Sequence, residues 1–321
     1  MTRRIIIDTD TAADDCFALF VGLCHPEAQL EAVTIVAGNV EFDQQIENAL
    51  LALDTAGRSG TVPVYPGCRK PMLRPWHRAS AHGDGKGNWD FPKPPGGAES
   101  EHAVDALLRL VDESPGEIDI VAIGPLTNLA AAVVQDPDFP RKVRSLFIMG
   151  GCNNSVGNVT AAAEYNFYVD PEAARIVLRA GFATTIVTWT LTLAQALWDR
   201  ERLKKIEALD TPLSRFFSIV NQPTLEADEA RGIMGSTHPD SLTAMLLVQP
   251  DLVKRAGRCH VDVETQGELT RGYSLFDWRA DRNPPNATVV EEIDTEGFFA
   301  AMVEILSTST GENAPSTRES V

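Results

Sequence analysis

A single α/β domain, with a Rossmann-like, doubly wound and mostly parallel sheet, is predicted by three observations. Short β-branched runs alternate with segments of helical apolar spacing through the first 190 residues. The runs are apolar throughout rather than alternating, as in strands buried on both faces. No internal repeat, low-complexity linker or shift in composition divides the 321 residues, and a chain of this length buries an ample core as one unit.

The elements follow in order. Residues 5–7 (Ile-Ile-Ile) form a strand and residues 17–23 the next helix. Strand, helix, strand, helix and strand are then expected at 30–37, 44–56, 62–65, 102–111 and 118–123. Helix, strand, helix and strand follow at 126–134, 145–149, 171–178 and 184–189. Residues 67–100 carry six Gly and five Pro and predict a long irregular loop, of the kind that is usually a functional lid or disordered. Residues 221–239 are polar and read as a second irregular stretch. Further strands are expected at 260–264 and 288–293, and a closing helix at 296–306. The domain is thus expected over 1–308, with 309–321 a Ser/Thr/Glu-rich disordered tail.

With 28 Lys+Arg against 45 Asp+Glu, the net charge of −17 disfavours nucleic acid and anionic membranes as partners. The five cysteines are dispersed, odd in number and without a C-x-x-C pair, so they predict free thiols in a reducing compartment. The apolar run before Asp8 is only three residues, Ile5 to Ile7, too short for a signal peptide, and no apolar run reaches membrane-spanning length. A cytoplasmic protein is expected.

The stretch D-T-D-T-A-A-D-D sets Asp8, Asp10, Asp14 and Asp15 on a strand-to-helix turn. In an open α/β sheet, ligands bind at such carboxyl ends of strands. Carboxylates so crowded repel one another, and a hard divalent cation with oxygen ligands resolves that repulsion. The positive N-terminus of a helix would account for Asp14 and Asp15, but not for Asp8 and Asp10. An EF-hand is excluded because Ala12 and Ala13 interrupt its ligand spacing. An aspartyl-phosphate phosphatase, with magnesium and Asp8 as nucleophile, shares D-x-D after a buried strand but has Thr where Ala12 stands.

The acidic stretch resembles the signature of the calcium-dependent nucleoside hydrolases, the inosine-uridine preferring family, which reads D-x-D-P-G-x-D-D. The resemblance continues through V-A-G-N at 36–39, H-G-D-G at 82–85, A-I-G-P-L-T-N-L-A at 122–130 and I-M-G-G at 148–151. It extends to G-N-V-T-A-A-A-E-Y-N at 157–166, V-D-P-E-A-A at 169–174 and D-W-R at 277–279, covering nearly the whole chain. It implies hydrolysis of a nucleoside's N-glycosidic bond to free base and ribose, through a sugar resembling an oxocarbenium ion that carboxylates stabilise. It further implies that Asp10, Asp15, Asp240 and the Ile123 carbonyl bind Ca2+, that Asp10 takes a proton from the attacking water, and that Asp14 holds the 2′-hydroxyl. Asp8 would support this shell. Asn39, Asn158, Glu164 and Asn166 match the ribose ligands, Met149 would pack on the sugar, and His82 would face the base. Glu164 and Asn166, spaced by two, would share one side of an extended segment. A homodimer or homotetramer is implied as well.

Two departures stand out. Thr11-Ala12 replaces Pro-Gly, which predicts an altered turn with the metal ligands retained. In S-T-H-P-D-S at 236–241, Arg231 and Asp240 keep their register, and Pro239 falls where many members carry the histidine that protonates the leaving base. His238, one residue earlier, is the candidate acid; otherwise a water, another group or aromatic stacking must serve. The segment also lacks the family's base-pocket tyrosines, leaving Trp76, Trp89 and Trp189 as stacking candidates. A nucleoside or ribose binder without catalysis is the remaining alternative.

Overall fold

The computed structural model describes residues 2–79, 82, 83, 85, 86, 91–279 and 281–308. Trp89 and the tail at 309–321 lie outside these described residues. The first half follows the predicted alternation: β1 (Arg3–Thr9), α1 (Ala13–Cys24), β2 (Ala28–Ile35), α2 (Phe42–Thr55), β3 (Val64–Pro66), α3 (Ala103–Glu113) and β4 (Ile118–Ala122). Then come α4 (Thr127–Gln135), α5 (Phe139–Lys142), β5 (Ser145–Met149), α6 (Tyr165–Val169), α7 (Pro171–Arg179), β6 (Thr184–Val187) and α8 (Trp189–Gln195). The last third holds β7 (Leu197–Trp198), α9 (Arg200–Glu207), α10 (Pro212–Ala230), β8 (Ser236–Thr237), α11 (Pro239–Val248), β9 (Val253–Val263), β10 (Ser274–Asp277), β11 (Ala287–Ile293) and α12 (Thr295–Leu306). Among the described residues, no helix is long and apolar enough to cross a membrane.

Nine of these strands form one sheet in the order β10-β9-β11-β6-β5-β4-β1-β2-β3. Neighbours from β3 across to β11 pair in parallel, while β9 and β10 add an antiparallel edge. The two faces are covered as strand periodicity requires: Ile5 and Ile7 pack into one core with α1, α10 and α11, and Ile6 into the other with α3, α4 and α7. The chain runs outward from β1 through β2 to β3, then returns to start β4 on the other side of β1. The order therefore reverses between β1 and β4, the point at which a crevice opens in doubly wound sheets.

Two expectations are corrected. Residues 221–230 belong to α10, a 19-residue helix, although Pro223 lies inside it. Proline removes one backbone bond and usually ends a helix. Here Phe216, Phe217, Val220 and Leu225 bury that helix in the core, and the Thr211 hydroxyl caps its start through Ser214 N–H, so packing outweighs the local cost. Trp189 opens α8 rather than closing β6, because the Thr188 hydroxyl accepts from Leu191 N–H as an N-cap. The described part of 67–100 holds no strand or α-helix, as expected.

Candidate active site

The acidic stretch sits at the reversal point. Asp8 is a β1 residue in register with Thr34 of β2 and Ala122 of β4. Its Oδ1 accepts from Thr34 Oγ1 at 2.5 Å and Asn128 Nδ2 at 2.8 Å, tying three elements together from behind. Burial raises its pKa to about 7, and no face of the wholly buried side chain is open to a substrate.

Asp10 lies just past the strand. Its Oδ2 accepts from Asn39 N–H at 2.8 Å, while its buried Oδ1 has no partner among the described residues. Asp15 accepts from Thr9 Oγ1 at 2.5 Å, Ala12 N–H at 2.9 Å and Asn39 Nδ2 at 3.2 Å. Asp14 and Asp15 occupy the first turn of α1 and Asp240 that of α11, so two helix N-termini turn their positive ends toward the same acids. One oxygen each from Asp14, Asp15 and Asp240 lies within 4.8 Å of the others. Thr11-Ala12 closes the turn without left-handed backbone, since Ala12 has φ −124°, which Cβ-bearing residues adopt freely.

Burial, reinforced by the neighbouring charge of Asp15, pushes Asp10 well above the ordinary carboxylate value and Asp14 to about 7; burial and Asp14 do the same to Asp240. Three buried acids so grouped, with the unpartnered oxygen of Asp10 beside them, make a donor set suited to a hard divalent cation. The Ile123 carbonyl, one residue past β4, accepts from Asn166 Nδ2 at 2.9 Å, and both residues line the cavity beside the acids. These residues fit a metal ion.

Glycine makes room for Asp10. A Cβ on Gly38 would lie 1.9 Å from Asp10 Oδ2, and one on Gly124 2.8 Å from Oδ1. Trp76 fixes the first of these turns by donating from Nε1 to Gly38 O at 2.8 Å, a structural task rather than base stacking. Gly38→Ala is expected to displace Asp10 and lower kcat/KM by about 100-fold, since an ångström of misplacement in a reacting group costs that much. Near-normal kinetics in that variant would show that Asp10 tolerates movement.

Beside the acids is a cavity of about 200 Å³. Asp14, Asn39, Ile123, Met149, Asn158, Glu164, Asn166 and Asp240 all line it. Glu164 is the N-cap of α6, accepting from Asn166 N–H at 2.7 Å and, across the site, from Gly151 N–H at 2.9 Å; burial raises it to about 7. Asn166 is thus a helical residue and not part of an extended segment, and its Nδ2 also reaches Met149 O at 3.2 Å. Asn158 Oδ1 accepts from Tyr165 N–H at 2.8 Å.

The rest of the lining includes His77, His82, Tyr165, Trp189, Thr224, Asp228 and Arg231. His82 is half-buried and neutral near pH 7, its pKa lowered to about 4 by burial and by Arg231. Sequence reasoning missed Thr224 and Asp228. With Arg231 they stand at i, i+4 and i+7, the spacing of one helical face. That pattern was available but is meaningless in a segment read as loop.

His238 is not brought to the cavity. Its ring is wholly buried, stacked on Phe217 (centroids 5.1 Å apart) and Phe17 (5.0 Å). Nε2 bonds Ser236 Oγ at 2.8 Å, and that hydroxyl donates to Asn221 Oδ1 at 2.5 Å. Burial lowers its pKa to about 3, so it carries no proton to give near neutrality. Pro239 lines the cavity in its stead.

Known proteins share this architecture. The model of the inosine-uridine preferring nucleoside hydrolase family matches residues 5–300. The chain belongs to this family. The pyrimidine-specific ribonucleoside hydrolase RihA of Citrobacter koseri is 35% identical over 312 residues, covering 96% of this chain and 99% of that protein. A plant nucleoside hydrolase, PpNRh1, superposes with a TM-score of 0.88 at 32% identity, covering 96% and 99% of the two chains. The purine-preferring ribonucleoside hydrolase of Gardnerella vaginalis does so with 0.87 at 28%, covering 95% and 98%. This nucleoside hydrolase is therefore an enzyme of the N-glycosyl hydrolase class, a ribonucleoside N-ribohydrolase.

Proposed function

We propose that this nucleoside hydrolase cleaves ribonucleosides with water at the cluster of Asp10, Asp14, Asp15 and Asp240, using calcium. The observation that carries the reading is the convergence of buried Asp14, Asp15 and Asp240, with the buried Asp10 and its unpartnered Oδ1 beside them, at the mouth of the reversal point. Every donor is a hard oxygen, which favours calcium over softer metals, with Asp10, Asp15, Asp240 and the Ile123 carbonyl as its ligands. When bound, the cation neutralises these acids and acidifies a water molecule.

The remaining steps fall to the chain's own residues. Asp10, with one oxygen uncommitted, takes the proton of the attacking water. Asp14 accepts from the 2′-hydroxyl. Asn166, its Nδ2 engaged by backbone carbonyls, keeps Oδ1 to accept from the ribose. Asn39, Asn158 and Glu164 complete that grip and Met149 packs on the ring, holding the anomeric carbon in line with the water. The negative cluster stabilises positive charge as it develops on the sugar. Base departure proceeds without His238, helped by water or by stacking on Trp189. Five unpaired cysteines suit a cytoplasmic setting, and a homodimer or homotetramer is the assembly we propose.

The test is a panel of ribonucleosides plus nitrophenyl phosphate, following base, reducing sugar and phosphate. Base and ribose in equal amounts, without phosphate release, are expected; no base from any nucleoside would overturn the reading. His238→Ala, which empties a core position, is expected to cost roughly 2–4 kcal/mol of stability. It should slow a nucleoside and a nitrophenyl riboside by the same factor, because only a proton donor would matter more for the poorer leaving group. Selective slowing of the nucleoside would restore His238 as the acid.

A further inference from the structure

Resting on the ribohydrolase reading, we infer that Asn154 is a positioning residue: its side chain clamps the loop at 151–158 to the outer edge of the sheet, and through that loop it sets Asn158 against the ribose. β10 is the terminal strand of the sheet, so one side of it has no neighbouring strand. Such an edge presents backbone N–H and C=O groups without partners. Asn154 fills that place at Phe276, donating from Nδ2 to Phe276 O at 2.7 Å and accepting at Oδ1 from Phe276 N–H at 3.0 Å. A carboxamide carries the same donor and acceptor as a peptide group, so this one side chain pairs with β10 as a further strand would. Tyr273 Oη donates to the same Oδ1 at 3.2 Å.

The residues before Asn154 are tied to the same stretch. Trp278 Nε1 donates to Asn153 Oδ1 at 3.1 Å, and Cys152 N–H donates to Ser274 Oγ at 3.0 Å. The D-W-R stretch at 277–279, which has no part in the chemistry above, thus supplies one of the ties through its tryptophan. The backbone of Asn153 and Asn154 is left-handed, with φ of 44° and 60°. Residues with side chains persist in that region where outside contacts over-determine them, and they gather at ligand clamps.

What the clamp holds is the sugar side of the cavity. Gly151 N–H, where the loop begins, donates to Glu164 Oε2 at 2.9 Å, and Asn158, where it ends, lines the cavity. Asn158 Oδ1 is taken by Tyr165 N–H at 2.8 Å, which leaves Nδ2 to donate to a ribose hydroxyl. Only three residues separate Asn154 from Asn158, so the place of the first is passed to the second.

The experiment uses Asn154→Gly. Asn154 is exposed, and glycine takes a positive φ freely, so the turn survives while the clamping amide is lost. In the calcium-loaded variant, free ribose should bind about tenfold more weakly by calorimetry, and kcat/KM for uridine should fall by about tenfold. Made in an Asn158→Ala background, the same substitution should change kcat/KM by less than about threefold, because the group through which it acts is gone. A mere loss of folded protein would lower kcat/KM by one factor in both backgrounds and leave the ribose dissociation constant unmoved. Unchanged ribose affinity, or an equal loss of kcat/KM in the two backgrounds, overturns the clamp. Unmodified protein that releases base from no ribonucleoside overturns the ribohydrolase reading itself, while the ribose affinities still decide the clamp.

Discussion

Asp10→Ala is expected to lower kcat for base release by on the order of a thousandfold or more while leaving the fold in place. The substitution removes a cation ligand and the acceptor of the water's proton together, and groups that act as a unit fail as a unit. Truncation also opens the space that Gly38 and Gly124 leave for the side chain, so no clash unfolds the turn. Asp10→Asn separates the two duties. It retains an oxygen for the Asn39 N–H, now 2.8 Å from Oδ2, but cannot take a proton near neutral pH. Rates within a few-fold of the unmodified enzyme in both variants, measured by base release, would remove Asp10 from the chemistry.

The second large effect is on the cation-free protein. Burial and mutual repulsion hold Asp10 and Asp240 well above the ordinary carboxylate value, and Asp14 at about 7, when nothing neutralises them. Between about pH 4 and pH 7 the folded chain therefore keeps protons that the unfolded chain has lost, and stability falls as pH rises. After chelation, Tm is expected to drop by on the order of 5 °C between pH 5 and pH 8. Calcium should restore it mainly at pH 8, because its ligands must be deprotonated to bind. Asp8 and Glu164, also raised to about 7, contribute a part of the slope that calcium does not remove. Thermal unfolding of the chelated and calcium-loaded protein at the two pH values measures this. A Tm independent of pH without calcium, or equal rescue at pH 5, would show that the cluster does not hold the cation.

Much of this site was legible in sequence because its parts are local. Asp8 through Asp15 sit on one strand-to-helix turn, and a β-branched run followed by acids is readable without knowing what packs on it. The parallel sheet followed from the same alternation. What escaped depends on distant contacts. The polar composition of 221–239 reads as loop, yet Phe216 and Phe217 anchor α10 through Pro223, and with the helix went the face that carries Thr224 and Asp228. His238 was one residue from the expected acid, but its direction is decided by Phe17 and Phe217, more than twenty residues or whole elements away. Trp76 fits a stacking role in sequence, but its Nε1 is bonded to Gly38 O, a partner brought from 38 residues away.

The central claim is that the carboxylates at the end of β1 hold the cation on which ribonucleoside cleavage depends. Its most direct test is the initial rate of base release from uridine and inosine as calcium is titrated into chelated enzyme. A rate that rises from near zero and saturates, and that stays near zero in Asp10→Ala, is the predicted result. Base release that is already full in the chelated enzyme, or that no calcium concentration elicits, would contradict it.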